Sequence, residues 1–126
     1  ILVNNEISEL ILGLSKSSNL ISKNGVIAVI SFHSIEDRIC KFFFNEISSL
    51  RKVSRYLPIN TCNEVSFNLI KKKPILPSKI EIEKNAPSRS AKLRAVQRLG
   101  TNKIDTKFIF QKFKYLLEIE KIASKL

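Results

Sequence analysis

The first part of the chain shows two different periods of apolar and polar residues. Residues 5–21 carry apolar side chains at close to helical spacing, and Asn4 or Asn5 is placed to cap the start of that helix. Gly25 tolerates the backbone of the turn that follows. The run Val26–Ile30 then has no polar interruption and is rich in β-branched residues. It predicts a strand buried on both faces, in the centre of a covered, parallel sheet.

A second amphipathic helix is predicted to follow this strand. Ser34 stands at its start, and Asp37 occupies the third helical position of a capping-box pattern. Apolar residues at 35, 39, 42, 43 and 47 give the helix one buried face. The three consecutive phenylalanines at 42–44 are more typical of a core than of a platform for base stacking. The order of helix, buried strand and helix predicts an α/β fold.

The second half of the chain is more polar and more interrupted. Residues 51–63 form a basic loop, Val65–Ile70 alternates as a half-buried strand, and Lys79–Lys84 has the pattern of a short helix. Arg89–Gln97 alternates as a second strand, although a helical face also fits it. Because the two strands lie too close in sequence for a long helical crossover, they predict an antiparallel pair at a sheet edge. Lys107–Ser124 is predicted to be helical.

Composition restricts the class of protein. The chain has 126 residues and a formal charge of +11, and its 44% of apolar residues exclude bulk disorder. No apolar run is long enough for a membrane span, and no signal-peptide pattern is present. Two cysteines and one histidine exclude a disulfide framework and a multi-histidine metal site, which fits a reduced, cytoplasmic compartment. Because the chain contains no methionine, we expect it to be a fragment of a longer protein.

The charge is concentrated in the second part of the chain. Residues 1–50 carry four basic and five acidic side chains, whereas residues 51–126 carry 18 basic and six acidic ones. This asymmetry favours a polyanionic partner, with nucleic acid first and an anionic membrane second. The alternative is a basic surface that is merely solvated.

Candidate chemistry begins where the buried strand turns into the second helix. Ligands of open α/β sheets bind at the carboxyl ends of strands. His33 there can exchange a proton or bond a base, Ser34 and the helix start can hold a phosphate, and Arg38 offers a fork for an anion. The alternative is purely local: Ser34 and Asp37 cap the helix, Arg38 pairs with Glu36 or Asp37, and His33 is a buried imidazole.

Two basic segments supply candidate phosphate contacts. Lys71, Lys72 and Lys73 lead into a proline and are either backbone contacts for RNA or a solvated strand end. In the second segment, strand alternation places Arg89 on one side, while the other side collects Ser90, Lys92 and Arg94, with Arg98 beyond. No glycine-rich loop or Walker motif accompanies them, so the chain has no recognisable cradle for a cofactor phosphate.

Four ordered segments of the sequence resemble those of one enzyme family. Val3–Ile7 resembles a VN-x-EL helix start, and Gly25–Arg38 resembles a strand with an SFHSLEDR turn. Lys72–Ser78 resembles KKPI-x-PS, and Asn85–Arg94 resembles NPR-x-RSAKLR with its proline shifted by one position. Together they are similar to the 16S rRNA cytosine N4-methyltransferases (the MraW or RsmH type). The resemblance covers residues 3–99 and leaves the tail from Thr101 unmatched.

The resemblance implies a fold and a reaction. The implied fold is the C-terminal portion of a class I (Rossmann-like) methyltransferase sheet, with a buried parallel strand, flanking helices and a terminal antiparallel strand pair. The implied division is 1–99 for the methyltransferase part and 100–126 for a helical tail. The implied donor is S-adenosylmethionine, and the acceptor is a cytidine of 16S rRNA. The family's cofactor motifs and helical insert lie upstream of the matched region, so this chain is expected to bind no cofactor and to be inactive alone.

The resemblance also suggests site residues. Residues expected to contact the substrate are His33, Ser34, Asp37, Arg38, Arg89, Ser90, Lys92 and Arg94. Lys71–Lys73 are expected to contact the RNA backbone, and the partner is 16S rRNA or the small ribosomal subunit. Only Cys62 remains of a cysteine-rich loop found in some members, so no metal is expected, and no general base is assigned. The alternatives are a non-catalytic basic RNA-binding or ribosome-associated module, or a subunit completed by another chain.

Overall fold

A computed structural model describes residues 5–48 and 66–125, and the elements and contacts below belong to those residues. The predictions for Asn4, the loop 51–63, Cys62 and the start of the strand at Val65 lie outside them. The elements in chain order are α1 (Glu6–Leu20), β1 (Val26–Ser31), α2 (Ser34–Ser48), β2 (Phe67–Leu69), α3 (Lys79–Lys84), a 3-10 turn (Ala86–Ser90), β3 (Lys92–Arg98), α4 (Lys107–Lys112) and α5 (Lys114–Ser124).

The three strands form one sheet in the order β1-β3-β2. Strand β3 is antiparallel to both neighbours, with Ser31 opposite Lys92 and Leu69 opposite Val96. It follows that β1 and β2 run in the same direction. The predicted antiparallel pairing of the two late strands is confirmed, and the helical alternative for the segment of β3 is wrong.

Strand β1 differs from its prediction. Its burial alternates, with Ile27 and Ser31 buried, while Val26 and Ile30 are 50% and 60% exposed. Among the described residues, β1 lies at the edge of the sheet and pairs only with the antiparallel β3. The predicted central strand of a parallel sheet, buried on both faces, is therefore not observed. The reason is that helices α1 and α2 share a core with Ile27 on one face, and no described element buries Val26 and Ile30 on the other.

The core joins α1, α2, the sheet and the tail helices. Its fully or nearly fully buried side chains include Ile7, Ile11, Ile39, Phe43, Phe44, Phe67, Val96, Ile109 and Phe113. The ring of Phe42 meets that of Phe113 edge-on at 5.5 Å between centroids. The phenylalanine cluster thus belongs to the core, as predicted. The tail forms two helices instead of one, because the backbone at Phe113 leaves helical geometry while its ring enters the core.

Helix α1 receives its N-terminal cap from the tail. Asn5 occupies the cap position with φ of 57° and makes no side-chain cap bond, so the predicted Asn5 cap is absent. Instead, the carboxylate of Glu120, only 1% exposed, accepts hydrogen bonds from the Ile7 N–H at 2.9 Å and the Ser8 N–H at 3.0 Å. The buried carboxylate also interacts favourably with the positive N-terminal end of the α1 helix dipole.

The other end of α1 is bound by a buried arginine. The guanidinium of Arg98 donates to the carbonyl oxygens of Ser18 at 2.9 Å and Ile21 at 2.8 Å. It also donates to the carbonyls of Gly100 and Asn102, and lies 5.8 Å from the Phe67 ring centroid. Arg98 therefore belongs to the interior and does not extend the exposed basic segment in which the sequence placed it.

The turn between α1 and β1 depends on space at Gly25. The positive φ lies at Asn24, at 68°, and no glycine has one. A Cβ atom on Gly25 would clash with Cγ1 of Ile21 and would lie 2.9 Å from the Ser22 carbonyl oxygen. The glycine is needed for close packing, so the conformational reason predicted for it is wrong.

Candidate functional site

The topology gathers the predicted site residues at one end of the sheet. Strands β1 and β2 both end there, and the antiparallel β3 begins there. His33 follows β1, Lys71 follows β2, and Lys92 opens β3 opposite Ser31. The carboxyl ends of two parallel strands thus meet the start of a basic one, which is the position where α/β sheets bind ligands.

Asp37 forms an ion-pair cluster with strand β3. Arg94 donates from Nε to Oδ1 at 2.7 Å and from Nη2 to Oδ2 at 3.2 Å, and Lys92 Nζ lies 3.8 Å from Oδ2. Asp37 is buried, whereas 42% of the Lys92 side chain is exposed. The hydrogen bonds from Arg94, supported by the charges of Arg94, Lys92 and Lys41, hold the pKa of Asp37 below 3.8 against the effect of burial. Asp37 is therefore an ionised, paired group at neutral pH.

The start of α2 is closed by Glu36 instead of Asp37. Oε2 of Glu36 accepts long hydrogen bonds from the Phe32 N–H at 3.3 Å and the His33 N–H at 3.4 Å. The predicted capping role of Asp37 is wrong, because its carboxylate is committed to Arg94. A phosphate at this helix start would meet the negative charge of Glu36.

Three of the predicted residues of the turn are exposed. His33, Ser34 and Arg38 all lie at the surface of the described part, so the alternative of a buried His33 imidazole is wrong. The alternative ion pair of Arg38 with Glu36 or Asp37 is also not formed there, because these carboxylates serve the two backbone N–H groups and strand β3. Sequence reasoning missed Phe32, which is 52% exposed. Strand alternation contains the signal, since Ser31 points inward and its neighbour must point outward.

The three lysines lie on a bulge in the segment that follows β2 and pairs with β3 on the same side. The Ile70 N–H donates to the Ala95 carbonyl at 3.2 Å, and Ile75 exchanges hydrogen bonds of 2.8 and 3.0 Å with Leu93. Residues 71–74 therefore stand opposite Arg94 alone. We call this segment the lysine bulge. Its three lysines are exposed, and bulges of this kind commonly redirect side chains beside functional sites.

The second basic segment is divided between a turn and a strand. Arg89 and Ser90 are exposed in the 3-10 turn, and β3 begins only at Lys92. The predicted strand alternation therefore fails for these two residues, because Ser88 accepts the Ala91 N–H and keeps the chain turned. The predicted common face of Lys92 and Arg94 is confirmed by their shared contact with Asp37.

The chemistry of this end of the sheet is that of an anion-binding surface. This end of the sheet carries exposed ammonium and guanidinium groups, an exposed imidazole and an exposed phenyl ring, a combination suited to phosphates and unstacked bases. The described residues contain no group of His, Cys, Asp or Glu side chains that could hold a metal ion. None of the described helices is long and apolar enough to cross a membrane.

A cleft of about 450 Å³ lies at the opposite end of the sheet. Its lining comes from the end of α1 and the start of β1 and is mostly apolar: Ser17, Leu20, Ile21, Val26, Ile27 and Ala28. It offers neither a carboxylate for a ribose nor a glycine-rich loop for a charged cofactor. The lining of this cleft therefore does not suit S-adenosylmethionine.

Fold and site together define an α/β protein whose sheet presents a cation-rich end suited to nucleic acid. Residues 1–99 match the sequence model of the MraW methylase family. The chain therefore belongs to the MraW methylase family, and the resemblance found in its motifs is confirmed.

Relatives named Ribosomal RNA small subunit methyltransferase H share this sequence. The protein of Natranaerobius thermophilus is 45% identical over 101 residues, which cover 79% of this chain and 32% of the relative. That of Lactiplantibacillus plantarum is 43% identical over 105 residues, covering 82% and 33% respectively. That of Persephonella marina is 43% identical over 97 residues, covering 77% and 28%. The chain thus spans about a third of the length of these relatives.

Proposed function

We propose that this chain forms the substrate-side part of an enzyme that transfers a methyl group from S-adenosylmethionine to N4 of a cytidine in 16S rRNA. The observation that carries the proposal is the meeting of the His33 turn and the lysine bulge at one end of the sheet, in a member of the MraW methylase family. The relatives' name supports rRNA of the small subunit as the substrate. We further propose a cytoplasmic location, a methyltransferase part over 1–99 and a helical tail over 100–126.

The geometry suggests different roles for the site residues. His33 and Ser34 are exposed after β1 and are assigned to the cytidine, and the exposed Arg38 is assigned to a neighbouring phosphate. Arg89, Ser90 and Lys92 are assigned to the RNA strand, and Lys71–Lys73 to its phosphates. Methylation of an exocyclic amine requires the base to be held outside its stack with its nitrogen aimed at the methyl group. These residues contribute binding and orientation; no step through the cofactor is assigned to them.

Asp37 and Arg94 are given no direct contact with the substrate in this proposal. Their charged groups are buried against each other, and Arg94 uses both Nε and Nη2 on one carboxylate. They therefore belong to the support of the surface.

Salt-dependent RNA binding tests the interface. The change is Lys71, Lys72 and Lys73 to Ala, and the matched control is Lys103, Lys121 and Lys125 to Ala, three exposed lysines of the tail region. Fluorescence anisotropy with a short single-stranded RNA should show that the slope of log Kd against log salt falls by about 2 in the first variant only, because each phosphate contact contributes about 0.7. Equal loss in both variants would favour a merely solvated basic surface.

Turnover distinguishes the enzyme from a non-catalytic RNA-binding module. In a complete family member that carries this segment, His33→Ala should lower the rate of methyl transfer strongly while the melting temperature stays near that of wild type, because the imidazole is exposed. A variant with unchanged turnover would contradict the assignment of His33.

Calorimetry on the present chain should detect no binding of S-adenosylmethionine, since its described cleft does not suit the cofactor.

A further inference from the structure

The Asp37–Arg94 pair connects three elements of the candidate site. Asp37 belongs to the first turn of α2, and Arg94 is the third residue of β3. The remaining guanidinium nitrogen of Arg94, Nη1, lies 3.5 Å from the carbonyl oxygen of Lys72, within the lysine bulge. One planar group therefore faces a buried carboxylate on one side and the backbone of the bulge on the other.

The lysine bulge has few other means of keeping its shape. Its flanks are bonded to β3 at Ile70 and Ile75, but its four residues stand opposite a single strand residue, Arg94. Three adjacent ammonium groups also repel one another. The guanidinium of Arg94 is thus the main contact of the middle of the bulge within the described structure. Asp37 fixes the position of this guanidinium through two hydrogen bonds.

We propose that Asp37 is a positioning residue for RNA binding: it fixes Arg94, and Arg94 holds the lysine bulge in the shape that presents its lysines to the RNA backbone. The inference rests on the proposed function. It assigns to an acidic residue a favourable effect on the binding of a polyanion, which is the opposite of its direct electrostatic effect.

Asp37→Asn separates positioning from charge. This change raises the net charge by one, so direct electrostatics predicts tighter RNA binding, whereas loss of positioning predicts weaker binding. We expect the Kd for a short single-stranded RNA to rise about five-fold, a coupling of ordinary size. The control is Glu83→Gln, an exposed residue of α3 with the same charge change, for which the Kd should stay equal or fall. Arg94→Lys keeps the charge but loses the fork, and should weaken binding as Asp37→Asn does.

Amide hydrogen exchange tests the same inference without RNA. In Asp37→Asn, the amides of Ile70 and Ile75, which flank the bulge and donate to β3, should exchange faster by a clearly larger factor than that of Val96 in the sheet core. Asp37→Glu should restore part of the slow exchange at these two amides. An equal acceleration at Val96 would mean general destabilisation only and would overturn a local role. Unchanged exchange at the two flanking amides, or tighter RNA binding by Asp37→Asn, would also overturn it. If the wild-type chain binds no RNA, the proposed function fails, and exchange still decides whether Asp37 positions the bulge.

Discussion

Replacement of Arg98 by Met should cause one of the largest losses of stability available to a single substitution in the described part of the chain. Arg98 is 4% exposed, and its guanidinium donates four hydrogen bonds of 2.8–2.9 Å to backbone carbonyls. Two of those carbonyls belong to the end of α1, which has no basic residue of its own in its last turn. Methionine fills much of the same volume but satisfies none of the four acceptors.

The size of the effect follows from two opposing terms. A hydrogen bond from a charged donor contributes roughly 1.5–3 kcal/mol, but the four do not add, because removing the charge also removes the cost of burying it. The carbonyl of Ser18 is buried and loses its charged donor, whereas partly exposed acceptors can recruit water. The cost of the unsatisfied acceptors should exceed the gain from no longer burying the charge. We therefore expect Arg98→Met to lower the free energy of unfolding by about 3–4 kcal/mol.

Urea unfolding followed by circular dichroism at the helical band measures this change. Lys103→Met is the control, because Lys103 is exposed and a surface substitution typically changes stability by less than about 0.5 kcal/mol. If Arg98→Met does not fold, Arg98→Lys decides, since an ammonium keeps the charge but cannot span four acceptors and should lose about half as much. A loss below about 1 kcal/mol in Arg98→Met would refute the reasoning.

Three further predictions concern other buried contacts. Glu120→Gln keeps an acceptor but removes the charge at the start of α1, so urea unfolding should show a loss of about 1–2 kcal/mol. The control Glu118→Gln gives up only an exposed ion pair with Lys114 and should lose less than about 0.5 kcal/mol. Because Arg94 holds the pKa of Asp37 below 3.8, the stability difference between wild type and Asp37→Asn should be complete at neutral pH and should close as the pH falls below 3.8; a gap that persists in acid would contradict it. Gly25→Ala should lower the melting temperature by overpacking, costing about 1–3 kcal/mol, and an unchanged Tm would disprove the close contact with Ile21.

Local patterns predicted the elements well where sequence period and burial agree. The helix expected over 5–21 is α1, and the two late strands pair as expected. In α1 and β2, the apolar residues that recur along the sequence are the ones on the face that packs against the core. The prediction for the uninterrupted run Val26–Ile30 is wrong, because an apolar pattern shows that both faces of the strand are apolar but not that both are covered.

The candidate site was predicted in composition more than in geometry. The residues of the His33 turn and of the two basic segments do meet at one end of the sheet. Their division into exposed and buried charges depends on contacts between distant positions, such as Asp37 with Arg94 and Arg98 with Ser18. Neighbouring sequence carries no information on these pairs, so Arg98 and Arg94 are indistinguishable from the exposed Arg89 in the sequence.

The two charged side chains that close the ends of α1 both come from distant parts of the chain. Its N-terminal N–H groups donate to a carboxylate 113 residues further along the chain. Its C-terminal carbonyls accept from a guanidinium 80 residues away. Such long-range closures slow folding. During synthesis, α1 therefore emerges with both poles of its dipole open, and only the arrival of α5 completes it. Shortening the protein to the family-matched 1–99 would remove Glu120 and leave the first turn of α1 without its partner, so we expect the tail to govern the order in which the chain becomes native.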